Sequence, residues 1–340
     1  MLVDLALIGF GNVARRFVRL LDERRDLLGA RYGLTCRITG IATRRHGAAC
    51  DPEGLDALAA ARIVEAGGTL GAETAAASVI DALARSGAAR RVMIETTTLD
   101  VDAGQPAIDH VRRALQSGCD VVTANKGPAA FAYRELSDIA ARHQVSFLFE
   151  GAVMDGVPVF NFVRETLPTV AIDGFRGVVN STTNHILTAL EDGEPYGDAL
   201  ARMQQAGIAE ADPSLDVDGW DAAAKTAALA NVFLDAGITP HDVRRSGIKP
   251  GDAQRVRDAK QRGARLRLVA TAARGTPAHV GLVELPESDL LAGLRGMSNA
   301  LVLDTDTLGE IAITQLDGGL THTAYALLSD LITVRQRHDA

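Results

Sequence analysis

Apolar positions near the start of the chain come in short runs divided by helically spaced stretches. Residues 2–8 are apolar apart from Asp4 and end at Gly9-Phe10-Gly11, after which Val13, Phe17, Leu20 and Leu21 recur at helical spacing. This predicts a strand, a tight turn and a helix. Further strands are expected at 36–42, 91–95, 120–124 and 145–149, with helices near 108–116 and 133–143. Strands alternating with helices of this length build βαβ units, whose right-handed crossovers give a parallel, doubly wound sheet. The Ala-rich stretches at 56–61 and 75–77 are compatible with helices, and no internal repeat interrupts the pattern.

After residue 151 the rhythm changes. A strand is expected at 172–179, a helix between Pro195 at its start and Gly207 past its end, and another helix at 219–235. Strand-like patterns follow at 265–272, 280–285 and 308–314, and 320–334 reads as a closing amphipathic helix. The expected architecture is an α/β chain. Residues 1–150 form one domain with 318–340 packing back onto it, and 151–317 form an α+β domain with a mixed or antiparallel sheet.

Composition narrows the classes. The 340 residues suffice for two domains, and 47% hydrophobic with 23% charged residues is the make-up of an ordinary globular protein. Lys and Arg number 35 against 43 Asp and Glu, a net charge of −8 that argues against nucleic acid as a partner. No apolar run approaches the roughly 18 residues of a membrane span and no export signal is visible, so no membrane partner is expected. Cys36, Cys50 and Cys119 are scattered with no CxxC pair, which fits a reducing, cytoplasmic location.

Gly9-Phe10-Gly11-Asn12-Val13-Ala14 matches G-x-G-x-x-G/A, placed after a predicted strand and opening a predicted helix. The glycines permit a tight turn and close approach to a pyrophosphate, which the helix N-terminus stabilises. The first domain therefore reads as a Rossmann-type dinucleotide-binding sheet. An acidic residue at the end of the second strand would bond the ribose 2′-hydroxyl of NAD, but this strand runs into Thr43-Arg44-Arg45-His46. Two guanidinium groups there suit a 2′-phosphate, so NADP(H) is the expected cofactor with NAD as the alternative; Arg44 and Arg45 also read simply as solvated loop charges.

Lys126 follows the strand that ends in Thr123-Ala124-Asn125, at the carboxyl edge of the sheet where open α/β folds bind ligands; a surface lysine is the plain alternative. Residues 209–225 hold five carboxylates, Glu210, Asp212, Asp216, Asp218 and Asp221, with Lys225 one helical turn after Asp221. That spacing sets Asp221 and Lys225 on one helix face. Acids favoured at a helix start and an exposed salt bridge are the competing readings. The calcium-loop register is absent, and the eight histidines and the serines show no zinc or nucleophile arrangement.

Taken together these segments resemble homoserine dehydrogenase in a short form without aspartokinase or ACT domain, from Gly9 to about Asp330. The stretch from Ala206-Gly207-Ile208-Ala209-Glu210-Ala211-Asp212-Pro213 through Asp216, Gly219, Asp221 and Lys225 looks like the family's substrate-domain signature. Residues 123–128 are similar to its strand-end lysine motif, 150–158 to its hinge and 177–187 to its substrate loop. The resemblance implies that Lys225 is the acid/base for the substrate hydroxyl, Asp221 its partner and Lys126 a second lysine near the transferred hydride. It makes Glu210 and Asp216 the holders of the substrate amino group, with Ser181 and Thr182 in the substrate loop. Cofactor contacts would be Gly9, Phe10, Gly11, Asn12, Val13, Arg44, Arg45, Thr97, Thr98 and Lys126. A monovalent cation, sodium in the family, would map to Glu150 and the carbonyls of Val153, Asp155 and Val157.

The family's second domain also commonly pairs with a partner's, which implies a homodimer with the 151–317 domain at the interface. The sequence departs from the family pattern at Ser181 for glycine, at His185 for tyrosine, and at Leu316-Asp317-Gly318-Gly319 for a Gly-Ala-Gly loop. The expected function is interconversion of aspartate 4-semialdehyde and homoserine. The alternatives are the same chemistry on a related hydroxy-amino acid and a non-catalytic NADP-binding sensor.

Overall fold

A computed structural model describes residues 1–71, 75–205 and 212–337. The chain divides into two compact units, one of residues 1–128, 132–160 and 319–340 and the other of 129–131 and 161–318.

The first unit is built on β1 (Leu2–Ile8), β2 (Thr35–Ala42), β3 (Ala48–Cys50), β4 (Arg90–Glu95), β5 (Asp120–Thr123) and β6 (Phe147–Leu148), in the order β3-β2-β1-β4-β5-β6. All pairs are parallel except β2–β3, a short antiparallel edge that the hydrophobic pattern did not announce. β1 and β4 are buried along most of their length, as parallel strands covered on both faces must be. The expected strand at 145–149 contracts to Phe147–Leu148, and the expected helix at 133–143 begins earlier, at Lys126, with a kink at Ala132.

The closing helix Leu320–Arg337 belongs to this unit: Ala324, Leu327, Leu328, Leu331 and Val334 enter the same apolar cluster as Phe17, Leu20 and Leu21 of the helix Asn12–Glu23. Each such buried aliphatic stabilises by roughly 1.5–3 kcal/mol. The unit runs on to Phe160, ten residues past the expected boundary, because the buried Glu150 carboxylate accepts from the amides of Val159 (2.6 Å) and Phe160 (2.9 Å). Its own amide donates to Asp330 of the closing helix at 2.8 Å.

The second unit carries β7 (Ile172–Val178), β8 (Arg244–Arg245), β9 (Ala264–Ala273), β10 (Thr276–Pro286), β11 (Asn299–Thr305) and β12 (Gly309–Gln315) in the order β12-β11-β7-β9-β10-β8. Only β8 runs parallel to its neighbour, so the sheet is mixed. The helices Ser181–Glu191, Trp220–Leu234 and Asp252–Gln261 pack against β9. Inside this unit Arg267 is wholly buried, pairs with the equally buried Glu191 and donates to the carbonyls of Ala292 (2.9 Å) and Leu294 (2.8 Å).

Candidate active site

In the first unit the glycine turn has the geometry its pattern predicts. Gly9 has φ +87°, and a Cβ there would lie 2.7 Å from the carbonyl carbon of Thr96, so only glycine lets β1 end against the loop after β4. Gly11 caps the helix Asn12–Glu23; nothing within 4 Å would meet a Cβ there, and the cap has no side-chain hydrogen bond and no acid in its first turn. The helix N-terminus thus keeps its amides for an anion, which is what a dinucleotide pyrophosphate requires. The Phe10 ring is buried in the core, so only its main chain is available to a ligand, and Asn12 is engaged by Arg15 at 2.7 Å. Arg44 and Arg45 are exposed at the tip of the β2–β3 turn, which the Thr43 hydroxyl closes by bonding to the Gly47 carbonyl and to the His46 amide.

The strand ends beside this turn are joined by a network the sequence reading did not assign. Glu95, fully buried at the end of β4, accepts from the Thr97 amide (2.9 Å), from the Thr97 hydroxyl and from the Thr123 hydroxyl (2.7 Å). Burial pushes its carboxyl above the ordinary glutamate range, against the pull of those donors. Asn125 donates to the carbonyl of Thr97 (3.0 Å), and its Oδ1 caps the following helix at Gly127 (2.9 Å). Thr97, Thr98 and the half-buried Lys126, first residue of that helix, are thereby fixed relative to one another. A charged residue ending an apolar strand and an asparagine directly before Lys126 were the available signals.

In the second unit, Asn180 ends the β7 segment and caps the helix Ser181–Glu191, its Oδ1 accepting from the Thr183 amide at 2.8 Å. Its Nδ2 donates to Asp216 (2.7 Å) and to Asp221 (2.9 Å). Lys225 lies 3.1 Å from Asp221 and donates to the Val179 carbonyl at 2.6 Å, so the helical spacing that paired them on paper is realised at a largely buried position. Burial and the Asp221 charge raise the carboxyl of Asp216, while Asn180, Thr182 and Lys225 act the other way. Thr182 is buried beside Asp216, and the Ser181 hydroxyl accepts from Asn299 Nδ2 at 2.8 Å. Asn180 thus joins Asp216 to Asp221, a link that the motif contained without a role.

Other expected residues fall elsewhere. Glu210 lies outside the described residues. Asp212 and Asp218 are exposed, and Asp212 caps Ser214 at 3.0 Å. His185 binds Arg202 at 2.8 Å, with Arg202 held by Glu194, so it ties two neighbouring helices together; burial and the Arg202 charge depress its pKa. Asp155, with φ +49°, accepts from the Gly319 amide and the Thr323 hydroxyl, while Glu150 is committed to the amides named above. No group of three or more His, Cys, Asp or Glu able to hold a metal occurs among the described residues, and none of their helices is long and apolar enough to cross a membrane.

Comparison with known proteins gives concordant matches in both halves. The profile described as "Homoserine dehydrogenase, NAD binding domain" matches residues 9–150, and "Homoserine dehydrogenase" matches 158–332. The chain is 35% identical to the NAD(+)-dependent homoserine dehydrogenase of Pseudomonas canavaninivorans, over 98% of this chain and 96% of that one. It is 32% identical to the homoserine dehydrogenase of Methanocaldococcus jannaschii, over 98% of each. A hyperthermophilic archaeal homoserine dehydrogenase solved in complex with NADPH superposes with a TM-score of 0.82 at 28% identity, covering 99% of this chain and 98% of that one.

Proposed function

The chain belongs to the homoserine dehydrogenase family, and from that premise we propose how its residues divide the reaction between them. It is a nicotinamide-dependent oxidoreductase interconverting aspartate 4-semialdehyde and homoserine. The observation that carries the assignment of roles is the convergence of Asn180, Asp216, Asp221 and Lys225.

Bound nicotinamide supplies or accepts the hydride. Lys225 donates a proton to the aldehyde oxygen as it becomes a hydroxyl, and takes it back in the reverse direction. Among the described residues, Val179 and Asp221 take two of its three N–H groups, and the third is given to the substrate oxygen. Asp216 receives the substrate ammonium, with Glu210 as its companion, and Ser181 and Thr182, in the first turn of the helix Ser181–Glu191, bound the same substrate. Gly9, Phe10, Gly11, Asn12 and Val13 hold the pyrophosphate through main-chain amides; Thr97, Thr98 and Lys126 bound the nicotinamide end. Arg44 and Arg45 grip a 2′-phosphate, making NADP(H) the preferred cofactor.

The family resemblance would put a monovalent cation at Glu150 and the carbonyls of Val153, Asp155 and Val157, where the Glu150 carboxylate already accepts from the amides of Val159 and Phe160 and the Val157 carbonyl from Val159. The working form is a cytoplasmic homodimer paired through the second unit, with the first unit as the cofactor domain. The Ser181 side chain, held by Asn299 where the family pattern has glycine, supports one second reading, the same chemistry on a related hydroxy-amino acid.

The test is oxidation of NADPH and of NADH with aspartate semialdehyde. Turnover is expected with both and faster with NADPH, and Lys225→Ala should lower kcat on the order of 10²–10⁴-fold while NADPH titrates as in the wild type. Equal use of both cofactors by wild type and by Arg44→Ala would remove the role given to that arginine.

A further inference from the structure

We infer that Arg245 is a positioning residue for the amino substrate: it braces the turn that brings Asp216 next to Asp221, acting through Trp220 and the main chain at Asp218. This rests on the reading that Asp216 and Asp221 belong to the substrate site. The two carboxylates sit on either side of Gly219, one in the short helix Ser214–Val217 and the other in the first turn of the helix Trp220–Leu234. They share one amide, and their like charges repel; Gly219, at φ +82°, gives the turn no side chain to hold it. The turn's own bonds are main-chain, the Gly219 amide donating to the Asp216 carbonyl at 2.9 Å, and a further restraint comes from outside it.

β8 supplies it. Arg245 pairs with Val280 on β10, and the next residue, Ser246, donates its amide to the Val280 carbonyl at 2.8 Å, anchoring the segment to the sheet. From there the guanidinium covers the Trp220 ring at 3.5 Å and its Nη1 donates to the Asp218 carbonyl at 2.6 Å. A planar guanidinium can present its face to an indole while donating within its plane, which an ammonium cannot do. The segment continues against the turn: a Cβ on Gly247 would lie 1.9 Å from the Val217 carbonyl oxygen, and the Ile248 amide donates to that oxygen at 2.8 Å. Val217, Asp218 and Trp220 are therefore all held from the same short segment, and Asp216 and Asp221 are the side chains this fixes.

Trp220 is the only tryptophan of the chain, so its emission reports on the brace directly. The experiment compares wild type, Arg245→Ala and Arg245→Lys by Trp220 fluorescence, by homoserine titration of that fluorescence and by steady-state kinetics. Arg245→Ala uncovers the indole, and its emission should move to longer wavelength. The homoserine concentration for half-saturation, and KM for the amino substrate, should rise about tenfold, with KM for NADPH and the thermal midpoint unchanged; Arg245→Lys should recover part of the loss. A wild-type response to homoserine that Arg245→Ala leaves unaltered overturns this proposal alone. Equal rises in both KM values with a fallen midpoint overturn it in favour of general loosening. No response or turnover in the wild type overturns the reading of the site, and this proposal with it.

Discussion

Asp216 is buried with the Asp221 charge beside it, and against the opposing pull of the Asn180 amide the two raise its carboxyl, which keeps its proton to a higher pH than an ordinary aspartate. An ammonium needs the ionised form, so affinity for the amino substrate should fall as pH drops through that raised value. In Asp221→Asn the neighbouring charge is gone and the acid limb of log kcat/KM should move to lower pH; an unmoved limb would assign it to another group. Glu95 carries the opposite lesson, about stability. Its native pKa is raised by burial, so its contribution is complete below the ordinary glutamate value and is lost as pH rises toward the folded one. Glu95→Gln, which keeps the acceptor for Thr97 and carries no charge, should gain in thermal midpoint relative to wild type between pH 5 and pH 8. A constant difference across that range would show that Glu95 does not titrate there.

Elements were legible where their pattern was periodic. The strand-turn-helix at the N-terminus and the helix holding Lys225 follow directly from apolar spacing. The helix Ser181–Glu191 was read only as a loop motif, since its start is marked by the Asn180 cap and not by an apolar stripe. β11 went unread between Leu-rich stretches, and β3 and β8 are three and two residues long, too short to have a period. Inside the second unit the helix Ser181–Glu191 is tied to β9 by Glu191 and Arg267, both fully buried. Glu191→Gln leaves Arg267 as an uncompensated buried charge and should cost about 3–5 kcal/mol in urea unfolding. A loss below about 1 kcal/mol would show that the carbonyls of Leu266, Ala292 and Leu294 hold Arg267 without the Glu191 charge.

At the scale of the whole molecule the chain returns to its beginning. The closing helix completes the core begun by β1 and the first helix, and the Glu150–Asp330 bond ties residue 150 to it. Leu331→Ala should therefore weaken the first unit by about 2–5 kcal/mol, although the residue is more than 300 positions from the glycine turn. Cofactor binding, followed by NADPH titration under mild denaturant, should be lost with it. Unchanged binding and stability would detach the helix from that core.

What the sequence determined by itself is local. A glycine at positive φ, a helix start left open for an anion and a lysine one turn after an aspartate are each set within a few residues, where spacing and steric limits suffice. The tertiary structure alone decided which distant groups meet: Asn180 with Asp216 and Asp221, Val179 with Lys225, Glu95 with Thr123, and Arg245 with Trp220. Those contacts depend on strand order and register, as when β1 lies between β2 and β4, or β8 joins the sheet beside β10. Register is a property of the packed sheet, so no spacing along the chain encodes it.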